Sequence, residues 1–130
     1  MTHEIRMKVR DYECDLQGIV NNANYQHYTE HARHELLSSL GVSFADLHER
    51  GIDVVVARIT LSYKIPLHSG DEFLVRSRVE KDKMKYIFNQ DIIRASDERL
   101  SCRAQVVLVV LVDGKLVMQC PELDSLLLDK

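Results

Sequence analysis

Asp15-Leu16-Gln17-Gly18-Ile19-Val20-Asn21-Asn22-Ala23-Asn24-Tyr25 joins an acidic residue to a glycine turn and then to the start of the longest helix in the sequence. Beyond it, Tyr25, Tyr28, Ala32, Leu36 and Leu40 recur at steps of three or four, which gathers them on one helical face. Asn22 or Asn24 can cap the start of this helix, and Gly41 can end it. The first backbone N–H groups of a helix have no partners within it, and they attract anions and developing negative charge. A carboxylate at Asp15 beside such a helix start suits acyl chemistry.

On the other side of the segment, Ile5, Met7 and Val9 alternate with Arg6, Lys8 and Arg10, the period of a half-buried strand. Residues 11–22 read as a loop. After the helix, Ser43-Phe44-Ala45-Asp46 opens a short second helix that Gly51 ends. The remainder reads as strands. Residues 54–65 are rich in β-branched side chains and stop at Pro66, and Gly70-Asp71 marks a turn. Phe73, Val75 and Val79 lie in the next strand, followed by strands at 86–94, 100–112 and 115–120. Ser96-Asp97-Glu98 and Asp113-Gly114 supply the turns between them, the second a strong hairpin signal. Pro121 opens a tail with a last turn of helix.

Short turns favour antiparallel pairing, and one long helix with an apolar face must be covered by such a sheet. The predicted fold is therefore α+β, with a curved antiparallel sheet of about five or six strands wrapped around one long central helix. Its 130 residues suit a single domain over 1–130.

Seventeen Lys and Arg against twenty Asp and Glu give a formal charge of −3, and no long basic run suggests a nucleic-acid footprint. The longest apolar stretch, residues 106–112, is far too short to span a membrane. The N-terminus lacks the apolar centre of a signal peptide, so a cytoplasmic protein is expected. Cys14, Cys102 and Cys120 match neither a zinc motif nor a Cys-x-x-Cys pair, and they read as free thiols.

Several other groupings compete for a function. His27, His31 and His34 fall on one helical stripe, but Tyr28 stands where a zinc protease motif needs glutamate. A polar face with Glu30 and Glu35 beside the histidines is the reading carried forward, and no metal site is expected. Cys14 has no evident histidine to activate it and reads as a small packed residue. Ser62 and Ser69 lack the context of a nucleophile elbow. Glu30 and Arg33 read as an i, i+3 ion pair, and Lys81, Lys83 and Lys85 as a solvated basic turn.

The order of elements and two motifs resemble the hotdog-fold acyl-CoA thioesterases. The resemblance is to the branch of the 4-hydroxybenzoyl-CoA and Tol-Pal-associated thioesterases. Its motif appears here as Asp15, Gly18, Ile19-Val20, Asn24-Tyr25 and Glu30-His31-Ala32-Arg33. A second match, common to many hotdog proteins, is Tyr63-Lys64-Ile65-Pro66 followed by Gly70-Asp71. The resemblance implies that Asp15 is the catalytic carboxylate, acting as nucleophile or as general base for water. It implies that the backbone N–H of Asn22 forms the oxyanion hole, and that Gly18 lets the chain turn beneath the thioester. Gln17, Gly18, Tyr25, Ile59 and Tyr63 are the expected substrate-binding residues. No cofactor is expected, because coenzyme A belongs to the substrate.

The resemblance also implies a homodimer or a dimer of dimers, with each site at a subunit interface. Tol-Pal-associated members carry histidine at the position of Asn22. The Asn21-Asn22 pair is similar to the plant acyl-carrier-protein thioesterases, whose histidine would fall at Ile19 and whose asparagine would fall at Gln17. Neither histidine is present, so the chemistry falls to one carboxylate and one helix start. Hotdog dehydratases place their acid on the central helix, unlike Asp15. The alternatives are a non-catalytic module that binds acyl-CoA or acyl carrier protein, and a thioesterase acting on acyl carrier protein.

Overall fold

A computed structural model of the chain describes residues 2–127. Strand β1 (Thr2–Lys8) leads through a 3-10 turn (Asp11–Glu13) to helix α1 (Asn22–Ser38) and short helix α2 (Phe44–Glu49). Strands β2 (Ile52–Tyr63), β3 (Glu72–Asp82), β4 (Lys85–Arg94), β5 (Leu100–Val112) and β6 (Lys115–Val117) follow. Helix α3 (Pro121–Asp124) and a 3-10 turn (Ser125–Leu127) complete the described chain. The strands pair antiparallel in the order β1-β3-β4-β5-β2, and β6 pairs with the end of β5. This is the sheet-around-helix arrangement that the sequence predicts.

The helix face is as expected at Tyr25, Tyr28, Ala32 and Leu36, all buried. Leu40 departs from it: α1 stops at Ser38, and Leu40 lies outside the helix and is exposed. Ser43 caps α2 by accepting the Asp46 N–H at 3.0 Å. Strand β2 begins at Ile52 rather than 54 because residues 52–56 pair with 112–108 of β5. A bulge between Val56 and Arg58 then shifts the register.

The core has two apolar halves. One gathers Val9, Val20, Tyr25, Tyr28, Phe73 and Ile92 around the helix start. The other gathers Leu36, Leu37, Tyr86, Phe88, Val106 and Leu126 toward the helix end. A buried polar belt lies between them. Gln90 stands between Phe88 and Ile92 at alternate positions of β4, and Ser77 stands between Val75 and Val79 of β3. The Gln90 amide donates to the Thr29 carbonyl at 3.0 Å and to the Ser77 hydroxyl at 2.9 Å. That leaves its oxygen to accept from Arg33 at 3.1 Å.

This belt corrects the expected Glu30–Arg33 ion pair. Arg33 is 5% exposed, points inward, and also donates to Thr29 Oγ1 at 3.3 Å. Among the described residues no carboxylate comes within 4 Å of it. Burial pulls its pKa below the usual guanidinium range, and Glu30 offsets part of that. The surface pair that does form on this helix is His31–Glu35, at 3.7 Å.

Candidate active site

The chain between β1 and α1 folds back on itself as a miniature hairpin. Cys14 bridges Val20 and Ile19 bridges His68, and the Val20 N–H donates to the Leu67 carbonyl at 2.9 Å. The Asp15 N–H donates to the Ile19 carbonyl and the Asn21 N–H to the Glu13 carbonyl, both at 2.9 Å. Asp15 thus opens the tip. Its carbonyl accepts the Gly18 N–H at 3.0 Å, and its Oδ1 accepts the Gln17 N–H at 2.8 Å. Gly18 has φ of +79°, where glycine is favoured. A Cβ at this position would meet nothing within 4 Å, so within one chain the glycine serves the turn rather than a close approach. Asp15, Leu16 and Gln17 are all exposed.

The hairpin runs directly into α1. The cap is Asn21, not Asn22 or Asn24: its Oδ1 accepts the Ala23 N–H at 3.0 Å, and its carbonyl accepts the Asn24 N–H at 2.9 Å. Local composition cannot separate three asparagines that all cap well. Contacts to Glu13 decide between them. Its carbonyl takes both the Asn21 N–H and, at 2.8 Å, the side-chain amide of Asn24. Asn22 becomes the first helical residue, and among the described residues nothing accepts its N–H. A free donor therefore stands at the helix start.

Glu13 is the residue that sequence reasoning missed. It is buried, and its Oε1 accepts the Tyr28 hydroxyl at 2.9 Å and the Arg10 N–H at 2.9 Å. Its Oε2 accepts from the Arg10 guanidinium at 2.7 and 3.1 Å. Burial pushes the Glu13 carboxyl up, but the bonds from Arg10 and Tyr28 outweigh it and hold the pKa below the usual range. Burial and Glu13 together push the Tyr28 phenol well above its own. The signal available in the sequence is the i, i+3 spacing of Arg10 and Glu13, two residues before Asp15.

Of the other expected substrate residues, Tyr25 and Tyr63 are in contact and Ile59 lines a cavity. Tyr25 is buried, packs edge-on against Tyr28 and Tyr63, and accepts the Leu67 N–H at 3.3 Å. Tyr63 is half-exposed, and its hydroxyl donates to the Asn22 carbonyl at 3.4 Å. Ile59 lines a cavity of about 320 Å³ with Ala23, Gln26, His27, Glu30 and Val56. A second cavity, of about 190 Å³, continues along the helix past Arg33 and His34 to Phe44 and Leu108. Neither cavity is lined by Asp15.

The competing groupings do not converge. His27, His31 and His34 are all exposed, and His34 packs on Phe44 at 4.7 Å between ring centres. Among the described residues no three His, Cys, Asp or Glu side chains are placed to hold a metal ion. Burial raises the Cys14 thiol, as do Asp11, Glu13 and Asp15 nearby, which disfavours the thiolate. Cys102 is pushed up to about 11 by burial. Lys81 lies over the Tyr86 ring, at 5.3 Å from its centre. No helix among the described residues is long and apolar enough to cross a membrane.

Comparison with known proteins addresses the family and the fold. The chloroplastic acyl-acyl carrier protein thioesterase ATL3 of Arabidopsis thaliana is 43% identical over 77 residues, covering 59% of this chain and 40% of that protein. The chain therefore spans less than half the length of this plant relative. A putative esterase of Aquifex aeolicus is 32% identical over 112 residues, 86% of this chain and 87% of its own. The crystal structure of a 1,4-dihydroxy-2-naphthoyl-CoA thioesterase from Synechocystis superposes with a TM-score of 0.90 over 96% of this chain and 94% of that one. Its identity of 19% makes that a likeness of fold. The model of the Thioesterase-like superfamily matches residues 9–124, so the chain belongs to that superfamily and has its hotdog fold.

Proposed function

We propose that this chain is an acyl-CoA thioester hydrolase of the 4-hydroxybenzoyl-CoA and Tol-Pal-associated branch, with Asp15 as its reactive carboxylate. Water adds across the C–S bond; the acyl carbon gains oxygen, and the coenzyme A sulfur leaves with a proton. Attack builds negative charge on the carbonyl oxygen, and the Asn22 N–H receives that charge. A single fixed donor of this kind typically lowers the barrier by roughly 3–4 kcal/mol. Asp15 either attacks the carbon, forming an anhydride that water cleaves, or draws a proton from water as water attacks. No cofactor enters either route.

The observation that carries this proposal is the free Asn22 N–H on a helix start that the Asp15 hairpin abuts. The Gln17 and Gly18 N–H groups donate to Asp15 at the hairpin tip, the Tyr63 hydroxyl donates to the Asn22 carbonyl, and Tyr25 packs edge-on against Tyr63. The Ile59 cavity beside Ala23 is the proposed acyl channel. Asp15 does not line it, and a second subunit completes the site in this reading. A carrier-protein thioester is the second reading, favoured by the 43% identity to the Arabidopsis enzyme.

The test is a panel of acyl groups, each presented on coenzyme A and on acyl carrier protein, with free thiol as the readout. Release from at least one coenzyme A ester above the enzyme-free rate is expected. Release from carrier-protein esters alone establishes the second reading, and release from neither overturns both.

A further inference from the structure

Glu13 takes six hydrogen bonds, and three come from successive levels of the helix start. The Asn21 N–H reaches its carbonyl at 2.9 Å, the Asn24 amide reaches the same oxygen at 2.8 Å, and the Tyr28 hydroxyl reaches its carboxylate at 2.9 Å. The other three come from Arg10, at the end of β1. Glu13 also stands at the base of the hairpin whose tip is Asp15, while the residue after its partner Asn21 is Asn22. One buried residue, through its carbonyl and its carboxylate together, therefore ties the hairpin that carries Asp15 to the helix that carries Asn22.

The carbonyl contacts hold the helix only at its Asn21–Asn24 end. The carboxylate contact lies one turn further on, at Tyr28, whose ring is fixed against Phe73 and Tyr25 at centre distances of 4.6 and 6.0 Å. Two anchors a turn apart, roughly 5 Å along the axis, fix both the rotation and the height of α1 against the loop. Arg10 completes the tie by holding the carboxylate to the end of β1.

We propose that Glu13 is a positioning residue for the thioesterase reaction: its carboxylate, through Tyr28, fixes the Asn22 N–H relative to Asp15. This rests on the hydrolase proposal above. Glu13 touches no substrate. Displacing a reacting group by about 1 Å can cost roughly a hundredfold in rate.

The experiment measures kcat and KM for wild type, Glu13→Ala, Glu13→Gln, Tyr28→Phe and the Glu13→Ala/Tyr28→Phe pair. The substrate is the best thioester of the panel, at a temperature where circular dichroism shows every variant folded. Glu13→Ala should lower kcat roughly tenfold to a hundredfold with KM unchanged. Glu13→Gln keeps an acceptor for Tyr28 and should recover most of that loss. Tyr28→Phe should lower kcat in the same way, and the pair should be no slower than the slower single variant, because both act through one tie. Wild-type kcat in folded Glu13→Ala, or a loss confined to KM, would overturn the proposal. An inactive wild type would instead remove the hydrolase proposal, and this one with it; Asp15→Asn as a dead control in an active background separates the two failures.

Discussion

Arg33 shows most clearly how a single residue can mislead from sequence. Glu30 lies three positions before it, on the same helix, and invites a surface ion pair. The guanidinium instead goes inward to Gln90, 57 residues away on β4. No local pattern announces that partner, because the Gln90 orientation is set by the Thr29 carbonyl on the same helix and by Ser77 on β3. A buried donor left without its acceptor costs more than a hydrogen bond contributes. Gln90→Leu is therefore expected to lose about 2–3 kcal/mol in urea denaturation. Adding Arg33→Met should restore part of that loss, because the stranded charge is then gone.

The helix start adds a pH dependence. Glu13 has a folded-state pKa below its ordinary value, so its contribution to stability is present above the ordinary carboxylate range. That contribution is lost as pH falls through the depressed value. Melting temperatures of wild type and Glu13→Gln should therefore differ near neutral pH and converge in acid. Asn21→Ala removes the cap and should lower stability by about 1 kcal/mol in the same melts. Much of this element is legible from the sequence: Tyr25, Tyr28, Ala32 and Leu36 keep strict helical spacing, and a packed face demands it. The residues 100–112 read equally well because a β-branched run between two turn signals has few alternatives. The cap is not legible, since Asn21, Asn22 and Asn24 are locally equivalent and Glu13 chooses among them by tertiary contact. Asp15 and Gly18 are legible as a motif, and the φ of +79° gives the glycine its physical reason.

At the scale of the whole molecule, β2 is an edge of the sheet, and it carries Val55 and Val56 at 38% and 47% exposure. An unpaired edge with exposed β-branched residues needs covering. The expected cover is the β2 edge of a second copy, which would also close the Ile59 cavity. Sedimentation should give the wild type twice or four times the mass of one chain. Val56→Glu should shift it toward a single chain and lower thioester hydrolysis with it. The central claim remains the role of Asp15, and the most direct measurement is kcat/KM of Asp15→Asn against wild type, with binding of a non-hydrolysable coenzyme A ester measured alongside. A loss of about 10²–10⁴-fold in kcat/KM with binding retained is the expected result. Hydrolysis by Asp15→Asn at the wild-type rate would contradict it.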